Sequence, residues 1–334
     1  MVHVAIIIVH YNNDQDTRAC LDSLRKIKRK SYTVSTVVVD NGSKDALIIP
    51  QKQLPKNTVI VRSDTNLGFT DGNNLGIEYV AREKKPDYIL ILNNDTTQDE
   101  EFLTKLIACA ESSEKVGMIT PKIYFAPGNE YHHASYTPSQ KGKVLWYAGG
   151  SIDWANLDAF HRGVDELDRG HFDQAQETDF ATGCCVLMPY SVIEKVGVLE
   201  GKYFLYLEDV DWSIRVRQAG FKVLYAPDAK VWHANASSSG GAGSELNRYY
   251  QTRNRFYFFL RYSYSMQELQ KMHNPLATKT KKIPKPAWKA VPEIFFFQAN
   301  IFRLALRFLV LGDATERRAT IDFLLGRMGK QTII

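Results

Sequence analysis

The sequence predicts an α/β protein whose mostly parallel central sheet is flanked by helices. In the first third of the chain, short apolar runs rich in valine and isoleucine alternate with amphipathic helical patterns. Such runs are typical of strands that are buried on both faces and joined by crossover helices. Polar clusters follow several of these runs, at the strand ends where a parallel sheet collects its ligands. No G-x-G-x-x-G sequence follows the first strand, which argues against a dinucleotide-binding oxidoreductase.

Hydrophobic periodicity places the individual elements in chain order. Strands are predicted where apolar residues are continuous, at 4–9, 37–39, 59–61, 88–92, 179–188, 223–225 and 230–232. Helices are predicted where apolar residues recur every three or four positions, at about 20–27, 72–82, 102–110, 191–196 and 209–219. Gly220 follows the last of these and is typical of a helix C-cap. The pattern weakens between about 121 and 177, which predicts long loops with short strands.

Composition and charge limit the cellular setting and the partners. Hydrophobic residues make up 44% of the chain, which is normal for a globular protein. The net charge of +5 fits an acidic ligand or an anionic membrane surface. The four cysteines have no C-x-x-C spacing and are expected to be reduced thiols. The first residues lack a basic region and a cleavage site, so they are interpreted as a strand and the protein is expected to be cytoplasmic.

Two polar turns follow early strands. Asp40 ends the second predicted strand and opens the turn Asp-Asn-Gly-Ser. A carboxylate there can accept a hydrogen bond from N3–H of a pyrimidine base, although a side-chain cap of the turn is the favoured interpretation of Asp40 alone. Asn66 opens a stretch with glycines at 68, 72 and 76. Glycines at a helix start let backbone N–H groups approach a diphosphate, or they allow the helix to pack closely on the sheet.

A third polar cluster, Asn93-Asn94-Asp95, follows five apolar residues. Mg²⁺ or Mn²⁺ takes few oxygen ligands from protein when a diphosphate supplies the others, so Asp95 is a candidate ligand. Asn93 is placed to reach a ribose or a phosphate. His233 ends a later strand and can complete the metal shell, since imidazole suits Mn²⁺. A lone histidine at such a place is more often structural.

Glu208, Asp209 and Asp211 form a dense acidic stretch. Displacement at a sugar carbon needs a base that takes the proton of the attacking hydroxyl. Asp209 is the first candidate for that base and Glu208 the second. The alternative is that these carboxylates only favour the first turn of a helix. Arg253 follows a Ser- and Gly-rich stretch at 237–244, where an arginine can clamp a diphosphate or belong to a solvated helix face.

Taken in order, these stretches resemble the family 2 glycosyltransferases, which have the GT-A fold. The resemblance covers roughly residues 4–257, and its specificity lies in the ordered set of motifs. In that family, the end of the first strand and the aspartate matched by Asp40 bind the nucleotide. The family's DxD motif corresponds to Asn93-Asn94-Asp95, and its metal-binding histidine corresponds to His233. Its ED motif, which carries the base, matches Glu208-Asp209.

The resemblance, together with the position of Arg253, implies the residues of the site. The implied donor-binding residues are Val9, Tyr11, Asp40, Asn66, Gly68, Phe69, Asn73, Asn93, Asn94 and Arg253. The implied acceptor-binding residues lie in the Thr-Gly-Cys-Cys segment and beside the ED motif; they are Gly183, Cys184, Asp211 and Trp212. The implied metal ligands are Asp95 and His233. Because Asn93 replaces the first aspartate of the DxD motif, binding of Mg²⁺ or Mn²⁺ rests on those two residues and the donor diphosphate.

The implied activity is that of an inverting glycosyltransferase. The VDNGS, LNND and LLGRMG sequences look most like the rhamnosyltransferase-like branch, which builds O-antigen, capsular or cell-wall glycans. The expected donor is therefore dTDP-L-rhamnose or a UDP-sugar, and the expected acceptor is a glycan or a lipid-linked glycan. The alternative is a non-catalytic protein that binds nucleotide sugars or glycans. No nucleic-acid partner is expected, since one lysine-rich stretch is its only support.

A catalytic domain and a C-terminal extension are expected. The catalytic domain is placed at 1–260, with the nucleotide-binding part before about residue 120 and the acceptor part after it. The extension at 261–334 combines a lysine-rich stretch at 279–289 with an aromatic stretch at 294–311. Arg303 and other polar residues in the aromatic stretch argue against a spanning helix, which needs about 20 mostly apolar residues. Two alternatives stay open: an amphipathic helix on the inner face of the cell membrane, or a helix packed on the catalytic domain or on a second copy of the chain.

Overall fold

The computed structural model describes residues 1–28, 32–83, 85–112, 115–235, 243–265 and 293–332. The lysine-rich stretch at 279–289 lies outside these residues, and so does most of the predicted loop at 237–244.

Strands and helices alternate through the first half of the chain. The strands are β1 (Val2–His10), β2 (Tyr32–Asn41), β3 (Thr58–Ser63), β4 (Tyr88–Leu92), β5 (Thr96–Gln98), β6 (Val116–Phe125), β7 (Leu145–Tyr147), β8 (Gly150–Asp153), β9 (Asp158–His161), β10 (Gln176–Glu177), β11 (Cys185–Pro189) and β12 (Lys222–His233). The helices are α1 (Asp14–Leu24), α2 (Gly68–Glu83), α3 (Phe102–Ala110), α4 (Tyr190–Val196), α5 (Glu208–Gln218), α6 (Glu245–Arg261), α7 (Glu293–Leu311) and α8 (Ala314–Leu324), with short 3₁₀ turns at Gln51–Gln53 and His133–Ser135.

One large sheet organises the molecule, with the strand order β10-β12-β6-β11-β4-β1-β2-β3. Strands β3, β2, β1 and β4 are parallel, and β12 is parallel to β6. Strand β11 runs antiparallel to both of its neighbours, β4 and β6. Cys185 at the start of β11 therefore pairs with Leu92 at the end of β4. This reversal brings the chain before β11 to the edge where the parallel strands end.

Strand β1 shows why the sheet is buried on both faces. Val4, Ile6 and Ile8 belong to the apolar cluster that includes side chains of α1 and α3. Ala5 and Ile7 point to the other face, which α2 covers. Because successive side chains of a strand alternate between faces, a strand between two helical layers must be apolar at every position.

The elements agree with the sequence at several places and differ at others. The strand at 88–92 and the helix at 102–110 are confirmed at their predicted boundaries. Strand β6, which begins before the predicted loop region at 121–177, is buried along its whole length and was not expected. The predicted strand at 179–188 begins only at Cys185. The predicted strands at 223–225 and 230–232 form the single strand β12, with an irregularity between Ala226 and Lys230.

The C-terminal helices pack on the rest of the molecule. The ring of Phe297 in α7 lies 6.1 Å from that of Trp154, and the ring of Phe323 in α8 lies 5.3 Å from that of Phe256 in α6. Within the described residues, no helix is both long enough and apolar enough to cross a membrane. The alternative of a helix packed on the catalytic domain thus accounts for one face of α7.

Candidate active site

Segments far apart in sequence meet around one cavity of about 450 Å³ at the C-terminal edge of the parallel strands. Most of the predicted site residues line it; they are Val9, Tyr11, Asn66, Gly68, Phe69, Asn93, Asn94, Asp95, Gly183, Cys184, Glu208, Asp209 and His233. The carboxylates of Asp95 and Asp209 therefore share a cavity although 113 positions separate them. This volume fits a small organic ligand.

One wall of the cavity holds a carboxylate and an imidazole in contact. Asp95 Oδ1 lies 3.0 Å from His233 Nε2, and the two side chains are only 6% and 5% exposed. Asn93 Nδ2 lies 3.4 Å from the same ring nitrogen. Strand pairing causes this contact, because His233 of β12 pairs with Thr96 of β5, the residue after Asp95. The ring of Trp146 packs edge-on against His233, 4.5 Å between centroids.

Buried hydrogen bonds fix the turn that carries these residues. Asn93 N–H donates to Cys184 O at 2.8 Å, which ties the end of β4 to the segment before β11. Asn94 Nδ2 donates to Thr17 Oγ1 at 2.9 Å, and that hydroxyl also contacts His10 Nδ1 at 2.8 Å. Asn94 and Thr17 thus anchor the turn from behind, which leaves Asp95 on the cavity wall.

Asn41 organises the Asn-x-Gly-Phe segment and lines the cavity, although it was not among the predicted site residues. Its amide nitrogen donates to Asn66 Oδ1 at 3.2 Å and to Gly68 O at 2.9 Å. Its amide oxygen accepts from Leu67 N–H at 2.9 Å. The sequence offered one signal for this role, because Asn41 follows Asp40 at the end of a strand.

Gly68 is required by close approach and by backbone conformation. Its φ is +77°, and a Cβ built on it would lie 2.3 Å from Phe204 O and 2.5 Å from Cδ2 of the same residue. Any side chain at position 68 would therefore push the loop that contains Phe204. This loop leads directly into the ED motif, so the donor segment and the acidic motif are in contact.

The loop before the ED motif has an unusual backbone. Phe204, Tyr206 and Leu207 all have positive φ, at 65°, 71° and 69°. Bulky residues with no side-chain hydrogen bond to the local backbone rarely adopt this region, and each costs about 1–3 kcal/mol. Such strain tends to occur at functional sites. Here it places Glu208 and Asp209 at the start of α5.

Glu208 is buried and Asp209 is half-buried, and their environments differ. Asp209 Oδ2 accepts from Gly183 N–H and Oδ1 accepts from Val210 N–H, each at 2.8 Å. Burial raises the pKa of Asp209, while these backbone hydrogen bonds oppose the rise. Burial and the adjacent charge of Asp209 raise the pKa of Glu208 well above its ordinary value. Glu208 Oε2 is buried without a hydrogen-bond partner among the described residues.

These environments separate the two carboxyl groups by function. The group with backbone N–H donors loses its proton first, so Asp209 is the stronger acid of the pair and Glu208 the weaker one. A base must be ionised to accept a proton. Asp209 therefore stays the first candidate for the base and Glu208 the second.

Asp40 does not line the cavity and has the contacts of a turn cap. It is 1% exposed, accepts from the backbone N–H groups of Ser43 and Leu47, and forms an ion pair with Arg62. Burial raises the pKa of Asp40, but these partners outweigh it and leave the pKa below its ordinary value. The contacts match the turn-cap alternative and not the nucleotide-base contact.

Four other predicted residues lie outside the cavity and act within the fold. Asp211 accepts from Tyr203 and Tyr262 and pairs with Arg215. Trp212 donates its indole N–H to Gly197 O, and Asn73 donates to Phe69 O. Arg253 is 0% exposed and binds backbone carbonyl groups, so its placement as a diphosphate clamp is corrected.

Aromatic residues complete the cavity, and sequence reasoning missed them. All but Phe180, which falls in the predicted strand at 179–188, come from segments that were predicted as loops or not assigned; they are Tyr131, Trp146, Phe180, Phe204 and Tyr206. Aromatic side chains in loops give no periodic signal, which is why the sequence did not identify them. His161 also lines the cavity, and burial lowers its pKa to about 4, so its ring is neutral at pH 7.

The metal-ligating groups present are few. Among the described residues, no group of three or more His, Cys, Asp or Glu side chains is arranged to hold a metal ion. Asp95 and His233 supply one carboxylate and one imidazole, a set that fits Mg²⁺ or Mn²⁺ when a ligand phosphate supplies the other oxygens. His233 Nδ1 is buried without a hydrogen-bond partner in the described part of the chain.

Comparisons with known proteins agree with this geometry. The family model described as "Glycosyltransferase like family 2" matches residues 2–252. The hexosyltransferase Agl10 of low-salt glycan biosynthesis from Haloferax volcanii is 26% identical over 255 residues, which are 76% of this chain and 74% of that protein. The N-acetylglucosaminyl-diphospho-decaprenol L-rhamnosyltransferase of Mycobacterium tuberculosis is 26% identical over 214 residues, 62% of this chain and 68% of that protein.

A solved structure shows the same fold. It is that of GalNAc-T7 with UDP, GalNAc and Mn²⁺, with a TM-score of 0.57 and 14% identity. The match covers 82% of this chain and spans 55% of the length of the GalNAc-T7 chain. At this identity the likeness concerns the fold alone, and it confirms the predicted GT-A fold.

Proposed function

This chain belongs to glycosyltransferase-like family 2, and from that membership we propose that it is an inverting transferase that moves a sugar from a nucleotide-diphosphate donor to an acceptor hydroxyl. The observation that carries the proposal is the single cavity that contains both the Asp95–His233 pair and the Glu208–Asp209 pair. A binding protein would not need a base held in an adjacent acidic pair, which makes the non-catalytic alternative the weaker one.

The donor is proposed to lie along the ends of β1, β2 and β4. Asn66 and Asn93 offer amide groups to ribose and phosphate oxygens, and Tyr11 borders the same wall. The preferred donor is dTDP-L-rhamnose, because sequence relatives include L-rhamnosyltransferases; a UDP-sugar is the second choice. Asp40 supports the donor side indirectly, since it fixes the turn that carries Asn41.

Asp209 is proposed as the base. The acceptor oxygen attacks the anomeric carbon, the bond from that carbon to the diphosphate breaks, and the nucleoside diphosphate leaves with the electron pair. Asp209 takes the proton of the attacking hydroxyl, and the anomeric configuration inverts. Gly183 N–H, which binds Asp209 Oδ2, holds the carboxylate on the acceptor side of the cavity. Because its pKa is raised, Glu208 is the weaker acid of the pair and opposes a second negative charge beside the acceptor.

Asp95 and His233 would hold a divalent cation, Mg²⁺ or Mn²⁺, together with donor phosphate oxygens. When bound, such a cation offsets negative charge on a diphosphate. Asp95 and His233 already touch at 3.0 Å. Asp95 and His233 could therefore bind one cation after only small side-chain movements. This favours them as ligands over the other carboxylates of the cavity, Glu208 and Asp209.

The exposed face of α7 is proposed to bind an anionic membrane surface. Phe295, Phe302, Leu306 and Val310 are 58%, 50%, 60% and 61% exposed. At 100° per residue they share one stripe about 22 Å long, opposite the buried face of the helix. Two exposed arginines, 303 and 307, border the stripe and complement lipid phosphates. Such a surface would bring the cavity to a lipid-linked acceptor.

Vesicle sedimentation tests the membrane proposal. Leu306→Glu should abolish binding to phosphatidylcholine vesicles that contain phosphatidylglycerol, while Ile48→Glu, at an exposed apolar residue outside α7, should leave it unchanged. Equal binding of the wild type and Leu306→Glu would refute the proposal, as would a dimer that forms through this face without vesicle binding.

The proposed activity is tested with purified protein and a set of nucleotide sugars, with Mn²⁺ and with EDTA. Release of nucleoside diphosphate, transfer to a diphospho-lipid-linked sugar, and inversion at the anomeric carbon by NMR are expected. Retention of configuration, or tight donor binding with neither hydrolysis nor transfer, would contradict it.

A further inference from the structure

Helix α6 supplies two side chains that bind the backbone of the loop before the ED motif. Asn254 Nδ2 donates to the carbonyl oxygens of Tyr203, Leu205 and Tyr206 at 3.0, 2.7 and 2.9 Å. Arg253 adds a donor to Tyr203 O at 2.9 Å. The loop contains three positive-φ residues, so these hydrogen bonds hold a conformation that the chain would not adopt unaided.

The same arginine connects this loop to the C-terminal segment. Arg253 Nη1 donates to Gly329 O at 2.6 Å, and Gly329 N–H donates to Lys202 O at 2.8 Å. Arg253 Nη2 also donates to Lys202 O at 3.3 Å. Gly329 thus touches both the guanidinium and the loop that the guanidinium binds.

Aromatic and acidic side chains fix the guanidinium from behind. It stacks 4.8 Å from the ring centroid of Tyr250 and 5.7 Å from that of Tyr249. Tyr249 O–H donates to Asp322 Oδ2 in α8 at 2.6 Å, and Tyr250 O–H accepts from Gln331 N–H at 3.0 Å. The last helix and the segment after it are therefore joined to Arg253 at three points.

We infer that Arg253 and Asn254 are positioning residues for the ED motif, and that the segment around Gly329 completes this clamp and so belongs to the active site. This inference rests on the proposed function for its kinetic consequence. Neither side chain touches the cavity; each acts on the carbonyl groups that set the direction in which Glu208 and Asp209 enter α5.

Two substitutions test the clamp from opposite ends. Arg253→Lys keeps the charge but removes the planar fork that reaches three carbonyl oxygens. Gly329→Val strains a residue with φ of +74° and no atom within 4 Å of a Cβ, so it disturbs the turn without a clash. The matched controls are Arg317→Lys, whose arginine binds Val310 O on the surface, and Gly220→Val, which has φ of +87° and equally open space.

Both clamp variants are expected to lower kcat by about 10- to 100-fold, because small displacements of a reacting group have effects of that size. The KM for the donor should change by less than about threefold, since Asn66 and Asn93 of the donor wall are held by hydrogen bonds with Asn41 and Cys184. The controls should keep kcat within about twofold. A purely structural role would instead lower the melting temperature and lower the apparent kcat only in proportion to the folded fraction, so that kcat per folded molecule stays at the wild-type value.

Hydrogen exchange gives a readout that does not need activity. Amides of residues 201–211 and 326–331 should exchange faster in both clamp variants, while the strands of the sheet keep their protection. If the wild type transfers no sugar, the proposed function fails, but this exchange pattern still decides the coupling. Unchanged exchange and kcat in both variants, or a uniform loss of protection throughout the protein, would overturn the inference.

Discussion

Asp209→Asn removes one negative charge from the cavity and keeps the shape of the side chain. In the wild type, both carboxylate oxygens accept backbone hydrogen bonds, from Gly183 and from Val210. An asparagine has one acceptor oxygen, so its amide N–H₂ must face one of these N–H groups. The substitution therefore has an effect on catalysis and a separate effect on stability.

The two effects differ in size and can be measured apart. A general base contributes about 10²- to 10⁴-fold to a rate, so kcat should fall by roughly that factor. Loss of one of these hydrogen bonds leaves a backbone N–H without an acceptor. Such a loss lowers the free energy of unfolding by about 1–3 kcal/mol. That loss leaves nearly all of the protein folded at 25 °C, since the free energy of unfolding of native proteins is roughly 5–15 kcal/mol.

Single-turnover kinetics with saturating donor and acceptor measure the catalytic effect, and calorimetry measures donor affinity. Donor affinity should stay within about threefold, because the carboxylate lies on the acceptor side. Glu208→Gln is the matched control, since glutamine imitates the protonated acid, and it should reduce kcat less than Asp209→Asn. A turnover within tenfold of the wild type in Asp209→Asn, or a larger loss in Glu208→Gln, would show that the base is misassigned.

Three other predictions concern stability and metal binding. Glu208→Gln should raise the free energy of unfolding at pH 7: the raised pKa of Glu208 means that the folded protein holds a proton that the unfolded chain releases above about pH 4.5, so wild-type stability falls with rising pH by up to about 1.4 kcal/mol per unit. Urea titrations at several pH values should show that the difference in the free energy of unfolding between Glu208→Gln and the wild type grows as the pH rises above 4.5. A difference that does not change with pH would refute the raised pKa of Glu208. Gly68→Ala should cost about 2 kcal/mol or more, because its Cβ would meet Phe204, and wild-type stability in urea would count against this contact. His233→Ala should raise the Mn²⁺ concentration for half-maximal activity by about tenfold or more; an unchanged Mn²⁺ titration would remove His233 from the metal set.

Strands with only aliphatic and aromatic residues were predictable, and strands with Gly, Pro or charged residues inside them were not. β4 reads Tyr-Ile-Leu-Ile-Leu and was found at its boundaries. β6 contains Gly117, Pro121 and Lys122, which normally interrupt a strand. Pro121 lies at the register irregularity with β12, where a missing N–H is tolerated, and Lys122 is buried because Asp168 and Asp173 pair with it. These compensations come from distant residues that local sequence does not reveal.

In the candidate site, the sequence identified the type of residue but not the contacts that determine its role. Sequence patterns identified acidic and amide residues that line the cavity, such as Asn93 after β4 and Asp209 in the first turn of α5. They did not distinguish a carboxylate that faces a cavity from one that caps a turn, which is the case of Asp40. The sequence patterns also predicted that Arg253 acts at the site, but they did not identify the groups that it binds. Those groups are backbone carbonyl oxygens, which every residue has and which no sequence motif identifies.

The ED motif stands where several unfavourable features meet, and this affects how the site should respond to change. Of two adjacent carboxyl groups, Glu208 is buried with an oxygen that has no hydrogen-bond partner in the described chain, and Asp209 is half-buried. The preceding loop has three left-handed residues. Asn254, Arg253 and the close packing of Gly68 oppose these costs from three directions. Glu208→Gln, which removes the cost of burying that carboxyl group, should therefore raise the free energy of unfolding, whereas Asp209→Asn should lower it and also slow the reaction. The free energy of unfolding thus reports the environment of each side chain, and kcat reports its part in the chemistry.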